Sequence, residues 1–364
     1  MVSSPLMKRY VLYRAGPDAL ELIRQEGLKP ERVAVYAGPA GGPKWFVSVG
    51  FDRTLMRTGF LRNRGERVLL AGASAGAWRC LAMACREPAD AYERLRIAYS
   101  RNVFTRDDTP ATVSAALKRN VESFIHEQDI PYILEHNHFD LAVHTVRAKG
   151  PAASANRRIE GFALIVAALC NALRSGTMDL FYERVVFYAG TGTPRFVGQS
   201  FDGRIVRLTR ENLRPAALAT GSLPYIVAGV REIPDAEGVY RDGGLRDYQL
   251  NQDYCPGQGA LTLFFHYQER ISPGWFDKRL PWRRPPRKSL ERLFQVYPGP
   301  DFLGLLPDGR LPDRNDFVTF VDNPHERIRR WDHVCDQSEV LGEQFMEDLE
   351  SGKIRKLLEP LAMP

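Results

Sequence analysis

Apolar and polar positions follow two alternating periods through residues 1–90. Tyr10 to Tyr13 reads as a short strand. Pro17 to Glu26 places Ala19, Leu20, Leu22 and Ile23 on one side, with Gly27 just past the end, and predicts a helix. Val33 to Ala37 is an unbroken apolar run, the pattern of a buried strand, and enters a Gly/Pro loop over Gly38 to Pro43. Lys44 to Thr58 reads as a helix, and the Gly59 to Arg67 turn leads into a second apolar run from Val68. That run meets Gly72-Ala73-Ser74-Ala75-Gly76, after which Trp78, Leu81, Met83 and Ala84 recur at helical spacing. Such alternation predicts an α/β fold with a largely parallel sheet covered by helices.

Further along, residues 87–138 read as polar helices broken at Pro110 and Pro131, a candidate cap inserted over a site. Leu141 to Arg147 and Arg184 to Tyr188 are predicted strands, separated by the most apolar helix candidate, Ile159 to Leu173. Phe196 to Ser200 and Arg204 to Leu208 flank Phe201-Asp202-Gly203, which predicts a hairpin. A short helix over Leu213 to Thr220 ends at Gly221-Ser222-Leu223-Pro224. Val239 to Gly244 is a strand running into a tight turn, and Ala260 to Tyr267 a further strand. One long helix is predicted from about Pro324 to Leu349, with Ile328, Trp331, Val334, Leu341 and Phe345 in its apolar stripe.

Composition narrows the class. With 364 residues and 44% apolar content, the chain suits one large α/β domain plus an appendage. Ile159–Leu173 is too short to span a bilayer, and the first residues lack the apolar core of a signal peptide, so a cytoplasmic location is expected. The five cysteines (Cys80, Cys85, Cys170, Cys255 and Cys335) are scattered and odd in number, which argues for a reducing compartment. A net charge of +6 favours anionic surfaces. It is concentrated in a basic, aromatic, proline-rich loop at 271–290, with Trp275, Phe276 and Trp282 among arginines and lysines. That composition suits peripheral contact with an anionic membrane, contact with nucleic acid, or a solvated loop with its rings packed on the body.

Three stretches carry candidate chemistry. Gly72-Ala73-Ser74-Ala75-Gly76, between a predicted strand and a predicted helix, has the context of a nucleophile elbow. Gly38 to Trp45, also between strand and helix, fits neither a nucleotide phosphate loop nor a dinucleotide fingerprint, and leaves an oxyanion hole or a plain turn. Asp242-Gly243-Gly244 holds an aspartate at a strand end, either as a base for a serine or as an ordinary turn. His136 and His138 with Asp140 have no third His or Cys nearby at metal-binding spacing and read as a solvated loop.

Together the three stretches resemble the patatin-like phospholipases, lipid acyl hydrolases with a Ser–Asp dyad. The family pattern G-G-G-x-K/R-G, then G-x-S-x-G, then D-G-G/A is matched by Ala40-Gly41-Gly42-Pro43-Lys44-Trp45, Gly72–Gly76 and Asp242–Gly244. Ala40 and Trp45 depart from it. Gly50 and the segment Ala217 to Pro224 add weaker matches. The resemblance covers roughly residues 31–250.

It implies a three-layer α/β/α fold with a mainly parallel central sheet and a helical C-terminal extension. The implied layout is an acyl hydrolase domain over 8–270 with its cap at about 87–138, the basic loop at 271–290, and a mainly helical extension at 291–364. It makes Ser74 the nucleophile and Asp242 the general base, with Gly41, Gly42 and Lys44 at the oxyanion site and Gly72, Gly76, Gly243 and Gly244 as motif glycines. The implied substrate is a lipid or other acyl ester, hydrolysed without metal or organic cofactor, and no nucleic-acid partner is expected. Two alternatives stand beside it: a non-catalytic lipid-binding or scaffold protein of the same fold, and a Ser-His-Asp esterase using His266.

Overall fold

The structure, a computed structural model, describes residues 8–62, 65–194, 196, 201–249, 251–255 and 257–364. Its centre is one sheet built from β1 (Val11–Ala15), β2 (Val33–Gly38), β3 (Val68–Ala73), β4 (Phe139–Ala148), β5 (Tyr182–Ala189), β6 (Arg204–Arg207), β7 (Val239–Asp242), β8 (Leu261–Phe265), β9 (Leu293–Pro298) and β10 (Leu358–Pro360). The strand order is β10-β1-β9-β8-β2-β3-β4-β5-β6, with β7 paired to β4 off this path. The run β9-β8-β2-β3-β4 is parallel throughout. β1 is antiparallel to β9, and both β5 and β7 are antiparallel to β4. The chain is therefore a mixed α/β protein with a mainly parallel central sheet flanked by helices.

Parallel strands are buried on both faces, and β4 shows how. Leu141 and Val143 join the main core beneath the helices Ala75–Met83 and Pro88–Ser100, whereas Ala142 joins a second core on the opposite face. Further along that opposite face, Val146 packs with Ala163 and Ala167 of the helix Arg157–Leu173.

The C-terminal region is more than a helical extension. β9 sits between β1 and β8, and β10 pairs with β1, so residues 291–364 build part of the same sheet. The single helix expected over 324–349 is two, Pro324–Gln337 and Glu339–Glu350, meeting at Ser338. Ser338 Oγ accepts the Gly50 N–H at 2.8 Å, and a Cβ on Gly50 would lie 2.3 Å from the Ser338 carbonyl oxygen. The close crossing of the helix Val49–Thr58 over this joint is what requires a glycine at position 50.

The hairpin expected around Asp202-Gly203 is not formed by β6, which runs parallel to β5. Positions 197–200 of its expected first strand lie outside the described residues. In the basic loop, Trp275 and Phe276 pack against the core group around Val146 and Leu245, while Trp282 stays exposed. Among the described residues no helix is long and apolar enough to cross a membrane.

Candidate functional site

β3 and β7 approach the same edge of β4 from opposite ends. β3 ends at Ala73, opposite His144, and β7 ends at Asp242, opposite the next residue, Thr145. Their C-terminal ends therefore meet head-on. Ser74, the first residue past β3, faces Asp242, the last of β7, and Ser74 Oγ donates to Asp242 Oδ2 at 2.8 Å.

The turn that presents Ser74 is strained. Its φ of 55° and ψ of −131° lie where side-chain-bearing residues are rarely found, a conformation that costs about 1–3 kcal/mol. Surrounding contacts hold it there. The Ser74 N–H donates to Thr220 Oγ1 at 2.8 Å, and Thr220 Oγ1 donates to the His144 carbonyl at 2.5 Å. A Cβ on Gly76 would lie 2.1 Å from the Gly38 carbonyl oxygen, so the elbow helix can close on β2 only with glycine there. A Cβ on Gly72 would lie 2.7 Å from the carbonyl carbon of Gly76 itself.

Asp242 is fixed in turn. Its Oδ1 accepts the Gly244 N–H at 2.8 Å, and its own N–H donates to the Ser222 carbonyl at 3.0 Å. Gly243 presses on β4, where a Cβ would lie 2.1 Å from the His144 carbonyl oxygen. The segment Ala217–Ser222 is thus a bracket. Thr220 holds the serine, Ser222 holds the aspartate, and the Ala217 carbonyl accepts Trp78 Nε1–H from the elbow helix at 2.6 Å.

The Gly38–Trp45 loop closes against both. Ala40, Ala73 and Tyr248 form a small apolar cluster, and a Cβ on Gly244 would lie 3.1 Å from Ala40 Cβ. Tyr267 OH donates to the Ala40 carbonyl at 3.0 Å and the Ala40 N–H to the Tyr248 carbonyl at 2.7 Å. Gly42 has a φ of 57°, which favours glycine. Among the described residues the Gly41 and Gly42 N–H groups have no protein acceptor. Lys44 behaves differently. Its ammonium lies 3.4 Å from Asp313 and over the Tyr267 ring, lining a separate polar cleft of about 820 Å³. Trp45 turns into the core, stacked on Phe46 and edge-on to Tyr92 and Tyr99. The large side chain is therefore taken up by the core.

Ser74 opens into a cleft of about 370 Å³, within the size range of small-molecule sites. Trp78, Tyr99, Phe104, Val113, Leu117 and Leu223 make its apolar wall. Phe104, Val113 and Leu117 come from the segment expected as a cap. Arg314 also lines it, and its Nη2 stands 4.0 Å from Asp242 Oδ2. Nothing in the local sequence marks Arg314, which lies in a polar loop more than two hundred residues from the elbow. Thr220 was equally silent, inside a segment matched only as a family pattern.

Burial raises the Asp242 pKa above the ordinary carboxylate value, against the opposing pull of the Arg314 cation and the hydrogen bonds from Gly244 and Ser74. His266 is fully buried, stacked on Phe264, with Nδ1 2.5 Å from the Gln268 carbonyl oxygen. Burial pushes its pKa down to about 3, and it makes no hydrogen bond to Asp242 or Ser74 among the described residues. No cluster of three or more His, Cys, Asp or Glu side chains suited to a metal ion occurs among the described residues.

No family model matches the chain, and no curated protein matches it in sequence. Among solved structures it is similar to VipD from Legionella pneumophila, with a TM-score of 0.33 and 13% identity over 75% of this chain. The match spans 56% of VipD, a little over half its length. An overlap this loose bears on neither the site nor the activity.

Proposed function

We propose that this protein is a lipid acyl hydrolase of the patatin-like type, acting through a Ser74–Asp242 dyad. The observation that carries the reading is the 2.8 Å hydrogen bond from Ser74 Oγ to Asp242 Oδ2, made at a strained strand-to-helix turn that opens into an apolar cleft. A serine hydroxyl becomes nucleophilic when an adjacent base takes its proton. A buried aspartate with a raised pKa is a better base than an exposed one.

In the proposed reaction Asp242 takes the Ser74 proton as Oγ attacks the ester carbonyl. The free N–H groups of Gly41 and Gly42 receive the oxyanion, with Pro43 unable to donate. Collapse expels the alcohol, which takes the proton from Asp242. Water, deprotonated by Asp242, then attacks the acyl-enzyme; on collapse Asp242 returns that proton to Ser74 Oγ and the fatty acid is released. The apolar wall suits an acyl chain. The non-catalytic alternative drew its support from Ala40 and Trp45, and both side chains pack without obstructing Ser74.

The test is lipid-release profiling of a mixed lipid extract with wild type and Ser74→Ala. Free fatty acid released by wild type alone supports the reading, and equal release, or none from either, removes it.

Two variants probe the surroundings. Gly42→Ala puts a Cβ on a residue with φ of 57°, 2.8 Å from Arg314 Nε. Alanine keeps the N–H, so its effect comes from the strain and the contact turning that N–H away from the oxyanion. Turnover should fall by up to about 10²–10³, the loss of one oxyanion donor, with a lower Tm; an unaltered kcat would mean that the path of this loop does not set turnover. Arg314→Gln removes the cation that holds the Asp242 pKa down, so that pKa rises further. The acid limb of the kcat/KM profile should then move to higher pH, and a stationary or downward limb would contradict Asp242 as the base.

A further inference from the structure

The helix Arg157–Leu173 presents the wrong side to water. The side packed on the body consists of Glu160, Ala163, Ala167 and Asn171. The outward side carries Ile159, Phe162, Ile165, Leu169 and Leu173, spaced three or four residues apart along one face. Phe162 is 65% exposed, Ile165 62%, Leu169 63% and Leu173 89%. Isolated exposed apolar residues are ordinary, but a contiguous stripe of this kind marks an interaction surface.

We propose that this face seats the protein on an anionic phospholipid bilayer, with the mouth of the Ser74 cleft opening onto the same surface. The proposal rests on the acyl hydrolase reading for its purpose, though not for its geometry. Charge selects the occupant. The exposed charges on and just after the helix are Arg157, Arg158 and Arg174, all cationic, while its one acid, Glu160, is buried against Arg241. Such a helix, about 25 Å long, lies in the plane of the headgroups, apolar face down and cations toward phosphate.

Continuity with the cleft gives the surface its use. Tyr225 and Ile226 line the cleft and are half exposed at its mouth. The Tyr225 N–H donates to Glu160 Oε2 at 3.1 Å, and Arg157 lies 4.3 Å over its ring. A φ of 69° at Tyr225, rare for a side-chain-bearing residue, is thus held by the helix itself. At the far end Arg283 Nη2 donates to the Asn171 carbonyl at 2.7 Å, which ties down the segment carrying the exposed Trp282, a residue type favoured at headgroup level. A second copy of the chain fits less well. Two such helices packed antiparallel would oppose Arg158 to Arg174.

Flotation with phosphatidylcholine–phosphatidylglycerol vesicles tests the surface. Wild type should float, and Phe162→Ser/Leu169→Ser should partition roughly tenfold less or weaker still. Arg158→Glu/Arg174→Glu should lose binding to a similar extent on these vesicles. Wild type should bind pure phosphatidylcholine clearly less. All variants should keep the wild-type Tm and wild-type turnover of a water-soluble short-chain ester. Unchanged flotation of the Phe162/Leu169 variant overturns the proposal, as does equal wild-type binding to both vesicle types. So does a dimer in sedimentation velocity that this variant abolishes while wild type fails to float. If wild type floats as expected but hydrolyses no ester, the hydrolase reading fails and the docking surface stands. If wild type turns over ester but does not float, the docking surface fails and the hydrolase reading stands.

Discussion

Ser74→Ala is expected to abolish covalent labelling by a fluorophosphonate and to lower ester turnover by a factor on the order of 10⁴–10⁶, the range for removing one member of a catalytic unit. Asp242→Asn should cost a comparable factor, because the amide can still meet Ser74 Oγ but cannot take its proton. His266→Ala should keep most of the activity, since that imidazole is buried, has its pKa pushed down to about 3, and is engaged with the Gln268 carbonyl. A reversal of the last two results would replace the dyad with a triad.

Asp242→Asn carries a second, opposite signature. Burial raises the Asp242 pKa in the folded state, so ionisation there is disfavoured relative to the unfolded chain. The carboxyl's contribution to stability is fully present below the unfolded pKa and is lost as pH rises through the folded one. Asparagine escapes that loss. Its Tm should therefore exceed that of wild type at neutral pH, with the gap closing in acid. Lower Tm for the variant at neutral pH would count against a carboxylate held at energetic cost for the sake of chemistry.

Arg79→Leu is expected to destabilise the fold by about 3–5 kcal/mol, the usual result of stripping one partner from a buried ion pair. Arg79 lies on the elbow helix five residues after Ser74, and both it and Asp52 are buried. Arg79 Nε and Nη2 donate to Asp52 Oδ2 and Oδ1 at 2.7 and 2.8 Å, while the hydroxyls of Tyr36 and Tyr92 also donate to Asp52. The single variant leaves a carboxylate with no cation in a dry core. Adding Asp52→Leu removes the uncompensated charge but takes the acceptor from the buried Tyr36 and Tyr92 hydroxyls, so it should recover only part of the loss. Chemical denaturation of the two singles and the double measures the coupling; purely additive losses would mean that the pair contributes nothing as a pair.

The sequence was most readable where the backbone itself makes the demand. Gly72-Ala73-Ser74-Ala75-Gly76 is legible because strand, sharp turn and close helix leave room only for small residues: a Cβ on Gly72 or Gly76 would lie within 3 Å of neighbouring backbone. Asp242-Gly243-Gly244 and Gly41-Gly42 are legible for the same local reason. What the chain does across long separations was not. Arg314 beside Asp242 and the Thr220 staple depend on which distant segments pack together. The insertion of β9 between β1 and β8, the break at Ser338 and the parallel pairing of β6 depend on it too. Periodicity reports which face of an element is apolar and not what covers it. The helix Arg157–Leu173 shows the limit most clearly, because the sequence marks it as the most apolar helix while Ile159, Phe162, Ile165, Leu169 and Leu173 face outward.

The head-on meeting of β3 and β7 beside β4 has a consequence for biosynthesis. The hydroxyl and the carboxylate that it joins are 168 positions apart in the chain. A ribosome making this protein completes the elbow long before it reaches Asp242, and a serine without its proton acceptor is a poor nucleophile. If the dyad is the catalytic unit proposed above, the nascent chain carries no working hydrolase before Asp242 has emerged. On the proposed reading competence requires β7 to be paired with β4, so hydrolytic activity regained during refolding should lag the recovery of helical signal and follow that pairing.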